Sequence, residues 1–191
     1  QVFLLREKLG IKAQDKVILY LGRVAPEKSI DFVIKAFKKI SDKIPDSYLI
    51  IAGDGSQKEE LKKLTEDLNL TKRVVFLGLV DFKDVPSLYK EADIFAFASQ
   101  TETQGMVVLE AMASGLPVLA VKDRVFEEVI ENGKDGLLVK KDQKEFAKTL
   151  ENLLLDEKLR KEISKNALQK AQKFSLEEIA EKFDTLYKSL L

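Results

Sequence analysis

Between Ile94 and Val121 the chain carries two short apolar runs separated by a polar loop, a helix-length segment and a glycine turn, and this spacing restricts the fold more than any other stretch. Ile94 to Ala98 (IFAFA) has strand character, Gly105 opens about three helical turns ending near Ser114, Gly115 stops them, and Pro117 to Val121 is the next strand. Continuous apolar strands joined through a helix must run parallel and be covered on both faces. The pattern recurs. Val17 to Leu21, Tyr48 to Ala52, Val74 to Leu77 and Gly136 to Val139 are further strands, and amphipathic helices lie between them. One runs from a Ser29 cap to Ile44, one is marked by Leu61, Leu64 and Leu68, and a short one is capped by Asp84. The expected fold is therefore α/β, a doubly wound, mostly parallel, Rossmann-like sheet. A lead-in helix with Val2, Leu5 and Leu9 on one face precedes it. A helical C-terminal extension follows: Asp142 caps residues 143–155, Asp156 caps a helix to Lys173, and Ser175 with Glu178 opens a last helix to Leu191.

In such sheets ligands sit at the carboxyl ends of the strands. The loops there are GRVAPEKS from Gly22, AGDGS from Ala52, GLVDFK from Gly78 and SQTETQG from Ser99, and they hold the residues with chemical potential. The helix after Gly105 is apolar on every side through Met106, Val107, Val108, Leu109, Ala111, Met112 and Ala113, so burial all round is expected, yet it carries Glu110. A carboxylate in that setting is costly unless something binds it. Gly105 also lets an anion approach the unpaired amides of Met106 and Val107, where the helix dipole is positive. Glu102 lies eight positions before Glu110, so one ligand along the helix start can touch both. A solvated Glu102 and a Glu110 paired with a structural cation are the alternatives. Arg23 and Lys28 share one strand-end loop beside Gly22, as a diphosphate requires, although ordinary surface charge also explains them. Gly53 and Gly55 permit close backbone approach, or simply make a tight turn.

Composition removes many alternatives. The 191 residues contain 32 basic and 32 acidic side chains, so nothing draws the chain as a whole to nucleic acid or anionic lipid. Neither cysteine nor histidine is present, which excludes disulfides, Cys/His metal sites, thiol nucleophiles and imidazole triads. There is no GK[ST] phosphate loop and no G-x-G-x-x-G. No run is long or apolar enough to span a bilayer, and QVFLLREKLG has no signal-peptide pattern, so a cytoplasmic location is expected.

Two glutamates separated by seven residues, then AMASGLPV, with Gly-Arg and Glu-Lys on the first loop, resemble the donor-site signature of the family-four retaining glycosyltransferases. That resemblance implies the C-terminal half of the two-domain GT-B architecture. It implies residues 1–173 as the donor-binding domain and 174–191 as a helix that packs on an absent N-terminal acceptor domain through Leu176, Ile179, Phe183, Leu186 and Leu190. It further implies that Arg23 and Lys28 hold the donor diphosphate with no metal or other cofactor, and that Glu110 accepts from the ribose hydroxyls. By the same resemblance Glu102 is expected to contact the transferred sugar, Gly22, Gly53, Gly105, Met106 and Val107 to line the site, and backbone groups of Leu79 and Val80 to read the base. TETQG, with Lys122 and Asp123 where many members have Gly-Gly, resembles the subgroup that glucosylates diacylglycerol. That subgroup implies UDP-glucose as donor and a full-length protein working peripherally at the cytoplasmic membrane face. GDP-mannose, or a non-catalytic nucleotide or sugar-phosphate module, is the alternative.

Overall fold

The computed structural model describes residues 5–189. Six strands form one sheet: β1 (Lys16–Leu21), β2 (Ser47–Ala52), β3 (Val74–Gly78), β4 (Ile94–Phe97), β5 (Val118–Val121) and β6 (Leu137–Val139). All neighbours pair in parallel, in the order β3-β2-β1-β4-β5-β6. Every residue of β4 and β5 is buried, which is why those runs carry no polar alternation. Because parallel crossovers are right-handed, building outward to β3 and then restarting at β4 places the two sets of connections on opposite faces. The doubly wound fold expected from the alternation is the one present.

The helices are α1 (Leu5–Leu9), α2 (Ile30–Ser41), α3 (Lys58–Asp67), α4 (Val85–Glu91), α5 (Met106–Ala113), α6 (Arg124–Val129), α7 (Gln143–Leu155), α8 (Glu157–Gln172) and α9 (Leu176–Ser189). α2 packs on α7, with the Phe32 and Phe146 rings edge to face at 5.4 Å, and α5 packs on α8, where Ser164 donates to the Gly115 carbonyl at 2.6 Å. Asp142 caps α7 through the amides of Lys144 and Glu145, Asp156 caps α8 through Leu159, and Ser175 accepts from the Glu178 amide.

Three local expectations fail for physical reasons. Ser29 does not cap α2, because its backbone is left-handed (φ +52°) and its hydroxyl accepts from Lys141 Nζ at 2.9 Å instead. Asp84 does not cap α4, because a 3-10 turn over Phe82–Asp84 runs into the helix without the extended residue a cap needs. α5 is not buried all round: Val108, Ala111 and Met112 face the core, whereas Met106 is 53% exposed and Val107 and Glu110 are only partly covered. Of the positions expected to form apolar stripes, Val2 and Leu190 and the side chains of Leu176, Ile179 and Leu186 lie outside the described residues.

Beneath the carboxyl edge the core is aromatic. Tyr20 stacks on Phe97 at 5.6 Å, Phe97 stacks on Phe95 at 5.7 Å, and Phe126 and Tyr89 meet this pair edge-on at 5.9 Å each. These rings give the loops above them a rigid floor.

Candidate donor-binding site

The strand order reverses between β1 and β4, so the loops that follow these two neighbours leave in different directions and open a crevice. Lys28 stands on one side and Glu102 on the other. Separated by 74 residues in sequence, they meet with Nζ 2.5 Å from Oε1, and each side chain is only 15% exposed. Arg23 does not join them. Its side chain is 69% exposed and its guanidinium contacts Glu27 Oε1 at 2.5 Å, an i,i+4 pair on the loop surface. Its backbone is better fixed, since the Tyr20 hydroxyl donates to the Arg23 carbonyl at 2.9 Å. Burial, then the charges of Glu102 and Glu27, push the Tyr20 phenol well above the usual tyrosine range, so it stays a donor.

The loop after β2 acts as a brace. The Val24 amide donates to the Asp54 carbonyl at 2.9 Å and the Gln57 amide to the Val24 carbonyl at 3.1 Å. The chains approach so closely that a Cβ on Gly53 would lie 1.9 Å from the Gly22 carbonyl oxygen, and one on Gly55 2.2 Å from that of Val24. The Gly22 and Gly53 amides are already committed, to the carbonyls of Ala52 at 3.0 Å and Gly78 at 2.8 Å. Chain packing thus accounts for Gly53. Asp54 is tied to Lys58 at 2.8 Å, and this bond, with one from the Gly55 amide, holds its carboxyl below the usual range.

α5 begins at Gly105, whose φ of +63° suits glycine and whose α-carbon faces Phe126, where a Cβ would meet the ring at 2.9 Å. The amides of Met106 and Val107 fall in the first turn, where no intrahelical acceptor exists, and the helix dipole reinforces their pull on an anion. One turn on, Glu110 accepts from the Tyr89 hydroxyl, at 2.9 Å to Oε2, and no cation pairs with it among the described residues. The partner is a neutral phenol, pushed far above its ordinary range by burial and then by the Glu110 charge. Glu110 lines a cavity of about 260 Å³ with Phe82, Val85, Pro86, Tyr89, Ala113 and Ser114. Leu79 and Val80 are not in it. They border a second cavity of about 400 Å³ shared with Leu5, Lys8 and Leu9 of α1, where Leu79 is 83% exposed.

Sequence reasoning passed over Tyr89, Tyr20 and the α6 turn. A tyrosine on a buried helix face is itself a signal, because its hydroxyl needs a partner that phenylalanine would not. Asp123, which accepts from the Val125 amide at 3.0 Å, and the spacing of Phe126 and Val129 were the corresponding signs of α6.

A doubly wound sheet with a polar crevice at its switch point and a glycine-opened helix beside it defines a domain of the nucleotide-binding α/β class. Comparison with known proteins is more specific: the profile for glycosyl transferases group 1 matches residues 2–170, and the chain belongs to that family. It is 36% identical over its whole length to the alpha-monoglucosyldiacylglycerol synthase of Acholeplasma laidlawii, of which it covers 48%. Among solved structures it matches Anabaena HepE in complex with UDP at a TM-score of 0.87 and 30% identity, covering 97% of this chain and 51% of that one. It also matches the C-terminal domain of a glycosyl transferase group 1 family protein from Francisella tularensis at 0.80 and 29% identity, covering 89% of this chain and 91% of that one. The fold is that of the C-terminal domain of GT-B glycosyltransferases, and the chain spans about half the length of curated relatives such as the Acholeplasma protein. No helix among the described residues is long and apolar enough to cross a membrane.

Proposed function

We propose that this chain is the donor-binding half of a retaining hexosyltransferase, and that it holds UDP-glucose along the carboxyl edge of the sheet. The observation that carries the proposal is the Lys28–Glu102 pair bridging the switch point beside the open start of α5. Lys28, with Arg23 swung over from Glu27, faces the diphosphate, and the amides of Gly105, Met106 and Val107 approach it from the helix side. Glu110 accepts from the ribose hydroxyls, since a carboxylate takes two neighbouring O–H donors with good geometry. Glu102 meets the hydroxyls of the glucose, and Leu79 and Val80 lie on the base side.

Transfer breaks the bond between the anomeric carbon and the β-phosphate oxygen, and the electron pair leaves on that oxygen. Lys28, Arg23 and the helix start stabilise the developing negative charge, with no metal or other cofactor among the participants. The acceptor oxygen then bonds to the anomeric carbon on the face the phosphate leaves, and its proton passes to solvent or to the departing phosphate. The acceptor is a membrane lipid such as diacylglycerol and the product a glycolipid, by likeness to the Acholeplasma protein, whose name specifies a diacylglycerol carrying one glucose. A second domain supplies its pocket, and the full protein works peripherally at the cytoplasmic membrane face. In this scheme residues 1–173 carry the donor site and 174–191 pack on that second domain; the exposure of Phe183 and Tyr187 on α9 supports this.

Calorimetric titration with UDP, GDP and ADP, alongside Arg23→Ala, tests the proposal. UDP binding best, with most of it lost in the variant, is the expected result. Equal binding by wild type and variant overturns the diphosphate role of Arg23, and a preference for GDP overturns the choice of base.

A further inference from the structure

We infer that Tyr89 is a positioning residue for the donor: its hydroxyl fixes the Glu110 carboxylate in the orientation that receives the ribose. This inference rests on the proposed role of Glu110. Glu110 has three side-chain torsions and sits on the partly exposed face of α5, so an unrestrained carboxylate would have to be ordered when the nucleotide arrives. Tyr89 orders it beforehand.

The phenol is well suited to this. Tyr89 is buried, its ring is held edge-on against Phe95 at 5.9 Å, and its hydroxyl lies 2.9 Å from Glu110 Oε2 and 3.3 Å from the Val107 carbonyl oxygen. A phenol has one proton to donate, and the nearer, charged oxygen is the stronger acceptor. A carboxylate offers about four acceptor sites, so giving one to Tyr89 leaves room for two vicinal hydroxyls. Oε1 accepts from no group of the described residues, and Glu110 borders the 260 Å³ cavity together with Tyr89. The contact also joins α4, which precedes β4, to α5, which follows it, so the donor helix is referenced to a helix on another crossover.

The test compares UDP with 2′,3′-dideoxyuridine diphosphate, which lacks both ribose hydroxyls, on wild type, Tyr89→Phe, Glu110→Ala and the double variant. Wild type is expected to prefer UDP about tenfold, the value of a well-made hydrogen bond to a charged acceptor. Tyr89→Phe loses most of that preference while binding the dideoxy ligand as wild type does. Glu110→Ala loses all of it, and adding Tyr89→Phe then changes nothing. Tyr89→Met fills the same space without a donor and is read in the same way should the phenylalanine variant not fold. A wild type without preference overturns the ribose role of Glu110, and this inference with it. A preference abolished by Glu110→Ala but retained in Tyr89→Phe, or a Tyr89→Phe that weakens both ligands alike, overturns the positioning role and leaves the donor site standing.

Discussion

Replacing Glu102 by glutamine separates the two parts this residue plays. Without donor, Lys28 is held by Glu102 at 2.5 Å in a crevice where both side chains are 15% exposed, so a diphosphate must displace one carboxylate to reach the ammonium. At an effective dielectric of about 20, unit charges roughly 4 Å apart attract by about 4 kcal/mol. Desolvation of the two groups offsets most of that, and pairs of this kind retain a net ~1–2 kcal/mol, between the exposed and fully buried cases. Glu102→Gln removes that competition and is expected to tighten UDP binding roughly 5- to 30-fold, while sugar transfer by the full protein falls because the glucose hydroxyls exchange a carboxylate for a weaker, neutral amide acceptor. Lys28→Met is expected to weaken UDP binding, and combined with Glu102→Gln it cancels the gain. Titration calorimetry at fixed ionic strength measures all three. Weaker UDP binding in Glu102→Gln, with Lys28→Met unchanged, would show that the pair belongs to the scaffold and that the phosphates lie elsewhere.

Further outcomes follow from local geometry. Gly105→Ala puts a Cβ 2.9 Å from Phe126 at a φ of +63°, costing about 1–2 kcal/mol, which calorimetry reads as a melting point lower by roughly 2–8 °C. Gly55→Ala meets the Val24 carbonyl at 2.2 Å and is expected to cost about 2–3 kcal/mol and to weaken UDP binding by shifting the Arg23 loop. Gly133→Ala, at φ +84° with open space around it, is the control that carries strain without a clash. The Tyr89 and Tyr20 phenols are raised by burial. The unfolded chain therefore releases their protons from about pH 10, whereas the folded chain retains them. Stability is complete below that pH and falls as pH rises above it, and urea midpoints between pH 9 and 11 should fall less steeply in Tyr89→Phe.

Much of this was legible in the chain, for identifiable reasons. Runs such as Val17–Leu21 and Ile94–Ala98 are too apolar to face water on either side, and that fixed a covered parallel sheet. Caps at Asp142 and Asp156 could be read because an extended aspartate before a helical run has the first-turn amides within reach of its carboxylate. Ser29 and Asp84 looked the same in sequence, but Ser29 is left-handed with its hydroxyl taken by Lys141 from another part of the chain, and Asp84 is already helical at the end of the 3-10 turn that starts at Phe82. Within the site, Glu110 stood out as a charge in an apolar helix. Its true partner did not, because an uncharged tyrosine on another element leaves no periodic trace. The approach of Lys28 to Glu102 depends on strand order, which alternation alone does not specify. The glycines of AGDGS were visible, but not that their closeness is to the neighbouring loop.

The most direct measurement of the whole account is a crystal structure of the chain with UDP. The expected density places the diphosphate between Lys28 and the amides of Met106 and Val107, with Lys28 drawn from Glu102 and the ribose hydroxyls on Glu110 still tethered to Tyr89. UDP bound anywhere that leaves the Lys28–Glu102 contact and Glu110 untouched would contradict it.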